Sequence, residues 1–273
     1  MKTVIEIINI ILSLVMGTKK REKALQPSTS FYEELQDRNP PEELKAKAPP
    51  LPPPPEPKNI VCNDVDVKID WDKVTLWTQP GALMCKSDQY KTVKGDRKQN
   101  IDKIVVHWDG CLSSEQCAKV LGQRGLSAHF CINNDGTIHQ LMDTNHVGWH
   151  ARGVNSKSIG IEISNAVYMK YAKKYSPRRP VVPAMKLHGK TFPSHLGFYD
   201  VQVEALKQLI KSLTKFYNVP LEFPNADGEL IKGVIRASSF KGVICHYHVT
   251  ENKTDPACLD LAKVIEEIKD EQE

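Results

Sequence analysis

From about residue 59 onward, apolar positions alternate or recur at helical spacing, and the pattern predicts an ordered run of strands and helices. Residues 65–77 read as short strands with Val67, Ile69 and Trp71 on one face. Residues 104–107, Ile-Val-Val-His, fit a buried strand that delivers a histidine at its end. Ser113 with Gln116 forms a capping box that opens a short helix to Leu121. Residues 128–132 and 137–141 flank Asn133-Asn134-Asp135-Gly136, a hairpin signal. In the strand at 158–163, alternation puts Ile159, Ile161 and Ile163 on one face and Gly160 and Glu162 on the other. Asp200 caps an amphipathic helix carrying Val203, Leu206, Ile210, Leu213 and Tyr217. Residues 243–245 form a strand ending at His246, and 259–268 a closing helix. Elements mixed in this way predict an α/β domain, a mixed central β-sheet flanked by helices. Residues 166–199 lack periodicity and read as a surface insertion.

The first 58 residues follow other rules. Residues 3–17 are the most apolar run, with Thr3, Glu6, Asn9, Ser13 and Gly17 making a narrow polar stripe on a helix. Only Lys2 precedes the run, whereas Lys19, Lys20, Arg21 and Lys23 follow it, which argues against a simple signal peptide. It is also shorter than the ~20 residues that span a bilayer. The expectation is an anchor or assembly helix over 1–17, held by a membrane surface or by a virion or oligomer partner. Residues 18–58 are a charged and proline-rich linker, whose run at 49–57 predicts a polyproline II spacer. The globular part is expected over 59–273.

Composition narrows the partners. A net charge of +4 with a pI near 8.5 suits a polyanionic wall, and no basic run interleaved with aromatics points to nucleic acid. Seven cysteines without a CxxC pair make no disulfide framework, so core thiols are expected. Cys258 stands apart, three residues past Asp255, as an alternative metal ligand.

His107 and His246 each end an apolar strand, and Asp255 follows in a Lys-Thr-Asp-Pro turn. Two imidazoles and one carboxylate are what a catalytic Zn2+ site requires, leaving a position open for water. Lys253 sits two residues before Asp255, so both can face one site. Glu162 is the candidate general base, Lys253 the candidate oxyanion stabiliser. Against this, a glutamate on a polar strand face can simply meet solvent. His248 is a second candidate ligand. The loop-like run at 146–153 holds Trp149, His150 and Arg152, groups suited to a sugar–peptide ligand, although a tryptophan there could equally plug a core.

Taken in order, Ile-Val-Val-His107, Ser127-Ala128-His129-Phe130, Asn134-Asp135-Gly136-Thr137-Ile138, Gly148-Trp149-His150-Ala151, the run at 155–162 and Lys253-Thr254-Asp255-Pro256 resemble the type 2 N-acetylmuramoyl-L-alanine amidases. These are zinc amidases related to peptidoglycan-recognition proteins, and the likeness covers roughly 101–166 and 200–262. The resemblance implies cleavage of the amide between N-acetylmuramic acid and L-alanine in peptidoglycan. It implies zinc on His107, His246 and Asp255, catalysis by Glu162 and Lys253, and substrate contact at Trp149 and His150. His248 stands where an aspartate is common in the family, which keeps it open as a ligand. The insertion is similar to those of phage members, implying a phage lysis or virion-associated enzyme acting at the bacterial cell wall. The alternatives are a non-catalytic peptidoglycan-binding module, or a structural virion component carrying an amidase domain.

Overall fold

The computed structural model describes residues 59–272; the expected N-terminal helix and proline-rich linker lie outside them. Eight strands frame the fold: β1 (Asn59–Cys62), β2 (Val65–Lys68), β3 (Val74–Leu76), β4 (Lys103–Trp108), β5 (Phe130–Ile132), β6 (Ile138–Gln140), β7 (Ser158–Ile163) and β8 (Gly242–Cys245). Six of them form the central sheet in the order β8-β4-β7-β5-β6-β3. All neighbours are parallel except the β5–β6 hairpin, so the sheet is mixed as the pattern predicts.

Three helices complete the domain: α1 (Ser114–Arg124), α2 (Asp200–Tyr217) and α3 (Leu261–Asp270). α1 runs a turn beyond the expected end at Leu121 and stops at Gly125, whose φ of 61° is the left-handed C-cap geometry that glycine adopts freely. Ser113 caps it as expected, accepting from the Gln116 amide. Asp200 is the first helical residue of α2 and not its cap; the Gln202 side chain instead turns back to accept from the Tyr199 amide.

The isoleucines of β7 pack with Ile104, Val106, Phe130 and Ile132 on one face of the sheet. Leu206, Leu209, Ile210 and Leu213 of α2 and Leu261, Val264, Ile265 and Ile268 of α3 close over them. Lys207 of α2 pairs with Glu204, Glu267 and Glu271, tying the two helices at their outer edge. The opposite face carries a smaller apolar cluster, Val105, Ile244, Ala151, Val154 and Ala237. Polar residues on that face carry the chemistry.

The β1–β2 hairpin lies outside the sheet yet is pinned to it. Its turn residues Asn63 and Asp64 have φ of 55° and 62°, and both amides donate to the Asp143 carboxylate at 2.9 Å. Gln140 adds two bonds to the Val61 backbone. The insertion is more ordered than its composition predicts, with short strands pairing 181–182 with 195–196 and Met185–Leu187 with Lys190–Phe192. Among the described residues, no helix is long and apolar enough to cross a membrane.

Candidate active site and metal centre

Strand register assembles the site. Cys245 pairs with Val106, so the next residues, His246 and His107, come level at the ends of β8 and β4. On the other side of β4, His107 pairs with Glu162 of β7, which in turn pairs with Cys131 of β5. Paired residues on adjacent strands share a face, so His107, Glu162 and Cys131 line up on the polar side. After β8 the chain makes one tight turn and loops to Asp255, and the Tyr247 amide donates to the Asp255 carbonyl to close that loop.

Three donor atoms converge. His107 Nδ1 and His246 Nδ1 are 2.9 Å apart, and Asp255 Oδ2 lies 3.0 Å from the first and 2.9 Å from the second. All three residues are buried. Each Nδ1 can carry one proton pointing one way, so neutral imidazoles cannot satisfy all three contacts by hydrogen bonding. Burial, and then His246, push His107 down to about 4, leaving it a neutral donor at neutral pH. Burial works to raise Asp255, but the two imidazoles beside it hold it well below the usual carboxylate range. An ionised carboxylate and neutral imidazole nitrogen at this spacing fit one divalent cation at Zn–N and Zn–O distances of about 2.0–2.2 Å. No other group of this kind occurs among the described residues.

Behind His107 stands His150. Its Nδ1 is 3.1 Å from His107 Nε2, and its Nε2 is 3.3 Å from Ser158 Oγ, which donates to the Val154 carbonyl. With His107 Nδ1 facing the cluster, Nε2 carries the proton and donates to His150. This outer hydrogen bond fixes both the tautomer and the ring direction. His150 lies flat on the sheet because β7 has no side chain at Gly160, where a Cβ would sit 2.5 Å from His150 Cγ. His129 supports the same spot, accepting from the Gly160 amide and bonding the His146 carbonyl through Nε2. The signal for this arrangement was Gly160 itself, since a glycine inside a strand marks a close approach. Arg97 is buried and holds the carbonyls of Thr144, His146 and Ser158, a role no local pattern discloses.

Glu162 is buried at 8% exposure, and its Oε2 has no hydrogen-bond partner. Burial, and then the Asp255 and Asp109 carboxylates, raise it well above the usual range. Lys253, half-buried, is close enough for its charge to act on both Glu162 and His107. Trp149 is 37% exposed beside His150, and its backbone is tied to Ser127. The bland alternatives, a solvent-facing Glu162 and a core-plugging Trp149, do not match these positions.

The two alternative ligands go elsewhere. His248 Nδ1 accepts from the Cys245 amide and its Nε2 reaches the Ile231 carbonyl at 2.7 Å, which leaves no lone pair for a metal. Cys258 lies in a groove with Phe198, Val203 and Leu259, and burial pushes its thiol up to about 12. Its sulfur is not among the three donor atoms that converge.

Comparison with known proteins names the family. Residues 97–258 match the model of the type 2 N-acetylmuramoyl-L-alanine amidases, a span that covers over half of the chain and contains every site residue above. The chain belongs to this family and is a peptidoglycan amidase. Among solved structures it is similar to the endolysin LysCS of Clostridium intestinale, at 18% identity and a TM-score of 0.42 over 70% of this chain and 96% of that one. AmpDh3 of Pseudomonas aeruginosa, in complex with an anhydromuramic pentapeptide, gives 21% identity and a TM-score of 0.41 over 67% and 66%. Drosophila PGRP-LB, in complex with tracheal cytotoxin, gives 18% and 0.39 over 67% and 88%. No curated protein sequence matches the chain significantly.

Proposed function

We propose that this amidase is zinc-dependent, with His107, His246 and Asp255 as ligands, Glu162 as general base and acid, and Lys253 as electrostatic stabiliser. The observation that carries the reading is the triangle of two Nδ1 atoms and Oδ2 at 2.9–3.0 Å, with an unpartnered buried carboxylate oxygen on the neighbouring strand. Zinc held there supplies Lewis acidity, lowering the pKa of water and polarising a carbonyl.

The chain's own groups do the rest. Glu162 Oε2 takes a proton from the attacking water as its oxygen bonds to the lactyl carbonyl carbon. The same carboxyl then returns that proton to the alanine nitrogen as the C–N bond breaks. Lys253 Nζ faces the negative charge that develops on the carbonyl oxygen. His150 holds His107 in place from behind, and Trp149 offers an exposed indole on the rim as a platform for the muropeptide.

The same proposal extends to setting. The bond cut is the amide between N-acetylmuramic acid and L-alanine, and the enzyme serves phage lysis or rides on a virion. Residues 1–17 anchor it to a membrane surface or a particle through the linker at 18–58. Digestion of purified peptidoglycan by the full chain tests the core of this. New L-alanine amino ends should appear with zinc, vanish with a chelator and vanish in Glu162→Gln. Activity that persists in the chelated protein would sink the metal role, and new reducing sugars would sink the bond assignment.

A further inference from the structure

The insertion at 166–199 reaches the active site through one hairpin. Met185–Leu187 and Lys190–Phe192 pair antiparallel around a turn at His188-Gly189. His188 has φ of 51°, a conformation uncommon outside glycine, and its ring is directed inward. Its Nε2 donates to the Lys253 carbonyl at 2.8 Å, its backbone amide donates to the Lys232 carbonyl, and its ring meets Tyr247 edge-on at 6.3 Å. At the hairpin's other end Phe192 stacks on Trp108 with centroids 6.0 Å apart, and His195 packs edge-on against both.

These contacts fall on all three segments that bear the proposed ligands. Trp108 follows His107, Tyr247 follows His246, and Lys253 stands two residues before Asp255. The stretch from 246 to 255 contains one short turn and no helix or strand thereafter; its path is fixed by bonds such as Tyr247 to Asp255 and His248 to Ile231, to which the hairpin adds its own. We propose that the hairpin is a brace that preorganises the three ligand-bearing segments, with His188 as a positioning residue. The inference rests on the metal reading above. It assigns a surface insertion to the machinery of the site, acting through the backbone of Lys253 and the rings beside the two histidines.

The test uses the full chain and compares His188→Ala, His188→Gln and Phe192→Ala. A glutamine amide can restore the donor to the Lys253 carbonyl, and alanine and glutamine share whatever the left-handed backbone costs. Amide exchange of the metal-free protein should speed up about five- to tenfold across 247–255 in His188→Ala, the equivalent of one hydrogen bond. Exchange in the helices should stay put, and His188→Gln should return toward wild type. Zinc affinity, read by competition with a chromophoric chelator, should fall by about 10- to 100-fold in His188→Ala, the usual effect of losing a support behind a ligand. Phe192→Ala should weaken zinc in the same direction through Trp108. Unchanged exchange and zinc affinity in both alanine variants would overturn the brace, as would exchange that rises uniformly over the whole domain. Should the wild type bind no zinc, the metal reading falls, and the exchange comparison alone still decides the brace.

Discussion

Alternate residues of one strand do opposite work on the two faces of the central sheet. On β7, Ile159, Ile161 and Ile163 are buried under α2 and α3, while Gly160 and Glu162 look onto a histidine cluster. Both faces exclude water, but the first does so with interchangeable apolar bulk. The second does so with polar groups held in fixed directions by named partners. Burial on the apolar face stabilises in proportion to area removed from water. Burial on the polar face raises Glu162, lowers His107 and leaves one carboxylate oxygen without a partner, so stability is surrendered to hold reactive groups.

Neighbouring positions should therefore fail in different ways. Glu162→Gln should lower kcat by about 10²- to 10⁴-fold, the range for a lost general acid–base. Metal-free Glu162→Gln should unfold no more easily than the wild type, because the group removed is a poorly solvated carboxylate. Ile161→Ala, one residue away, should cost about 2–5 kcal/mol of stability as a core cavity. Its kcat per folded molecule should stay within a few fold. Urea titrations and steady-state kinetics on the same two preparations read both. Should the two variants lose activity and stability in equal proportion, the division between the faces is wrong.

Gly160 tests how tightly the polar face is packed. An added Cβ would lie 2.5–2.7 Å from three atoms of the His150 ring, which must move and release His107 Nε2. Gly160→Ala should cost about 1–3 kcal/mol as overpacking. It should also lower activity about tenfold or more as an outer-support defect. A variant with wild-type kinetics would mean that the hydrogen bond from His107 to His150 does not matter.

Acid should find the polar face first. His129 is pushed down to about 3 by burial, and then by Arg97, from the ordinary 6.5. The unfolded chain takes up a proton below about pH 6.5 that the folded chain refuses until about pH 3. Stability from this group is therefore complete above 6.5 and falls as pH drops, by up to ~1.4 kcal/mol per pH unit. In the metal-free protein, His129→Gln should lose about 2 kcal/mol less between pH 7 and pH 5 than the wild type. The variant should start lower at pH 7, having given up the bonds to Gly160 and His146. Urea midpoints at the two pH values decide it, and equal slopes would place the proton uptake elsewhere.

The apolar face was readable in advance because periodicity is a local property. The isoleucines of β7 and the seam of α2 follow from spacing alone, and so does the mixed sheet. His107, His246 and Glu162 stood out because each sits at a strand end or alternates with apolar neighbours, and Asp255 because of the Lys-Thr-Asp-Pro turn that carries it. The resemblance implies substrate contact at His150; the contact to His107 was not legible, because it depends on the space left by Gly160, ten residues further along the chain. His129, Arg97 and His188 had no local signal, since their partners are the carbonyls of His146, Ser158 and Lys253. Those carbonyls come within reach only once the strands are in register. The insertion was opaque for the same reason: its order comes from packing against Trp108 and Tyr247, from its own tyrosine cluster and from the bonds of Arg179, which no periodicity within 166–199 encodes.

The smallest expected effect separates ligands from bystanders. Cys258 is three residues from Asp255 in sequence, yet its Sγ has Asn165 Nδ2 as a neighbour at 3.9 Å and no place in the histidine triangle. Cys258→Ala should leave zinc stoichiometry and affinity within about twofold of wild type, with a stability change of about 1 kcal/mol from lost packing. His248→Gln should also keep its zinc, although it loses the bonds to Cys245 and Ile231 and unfolds more easily. Asp255→Asn should lose it, because the only ionised oxygen of the triangle is gone and two imidazoles remain. Equilibrium dialysis of the three variants in parallel ranks them. A Cys258→Ala protein that binds no zinc would move the ligand set toward the helices and break the triangle on which the polar face has been read.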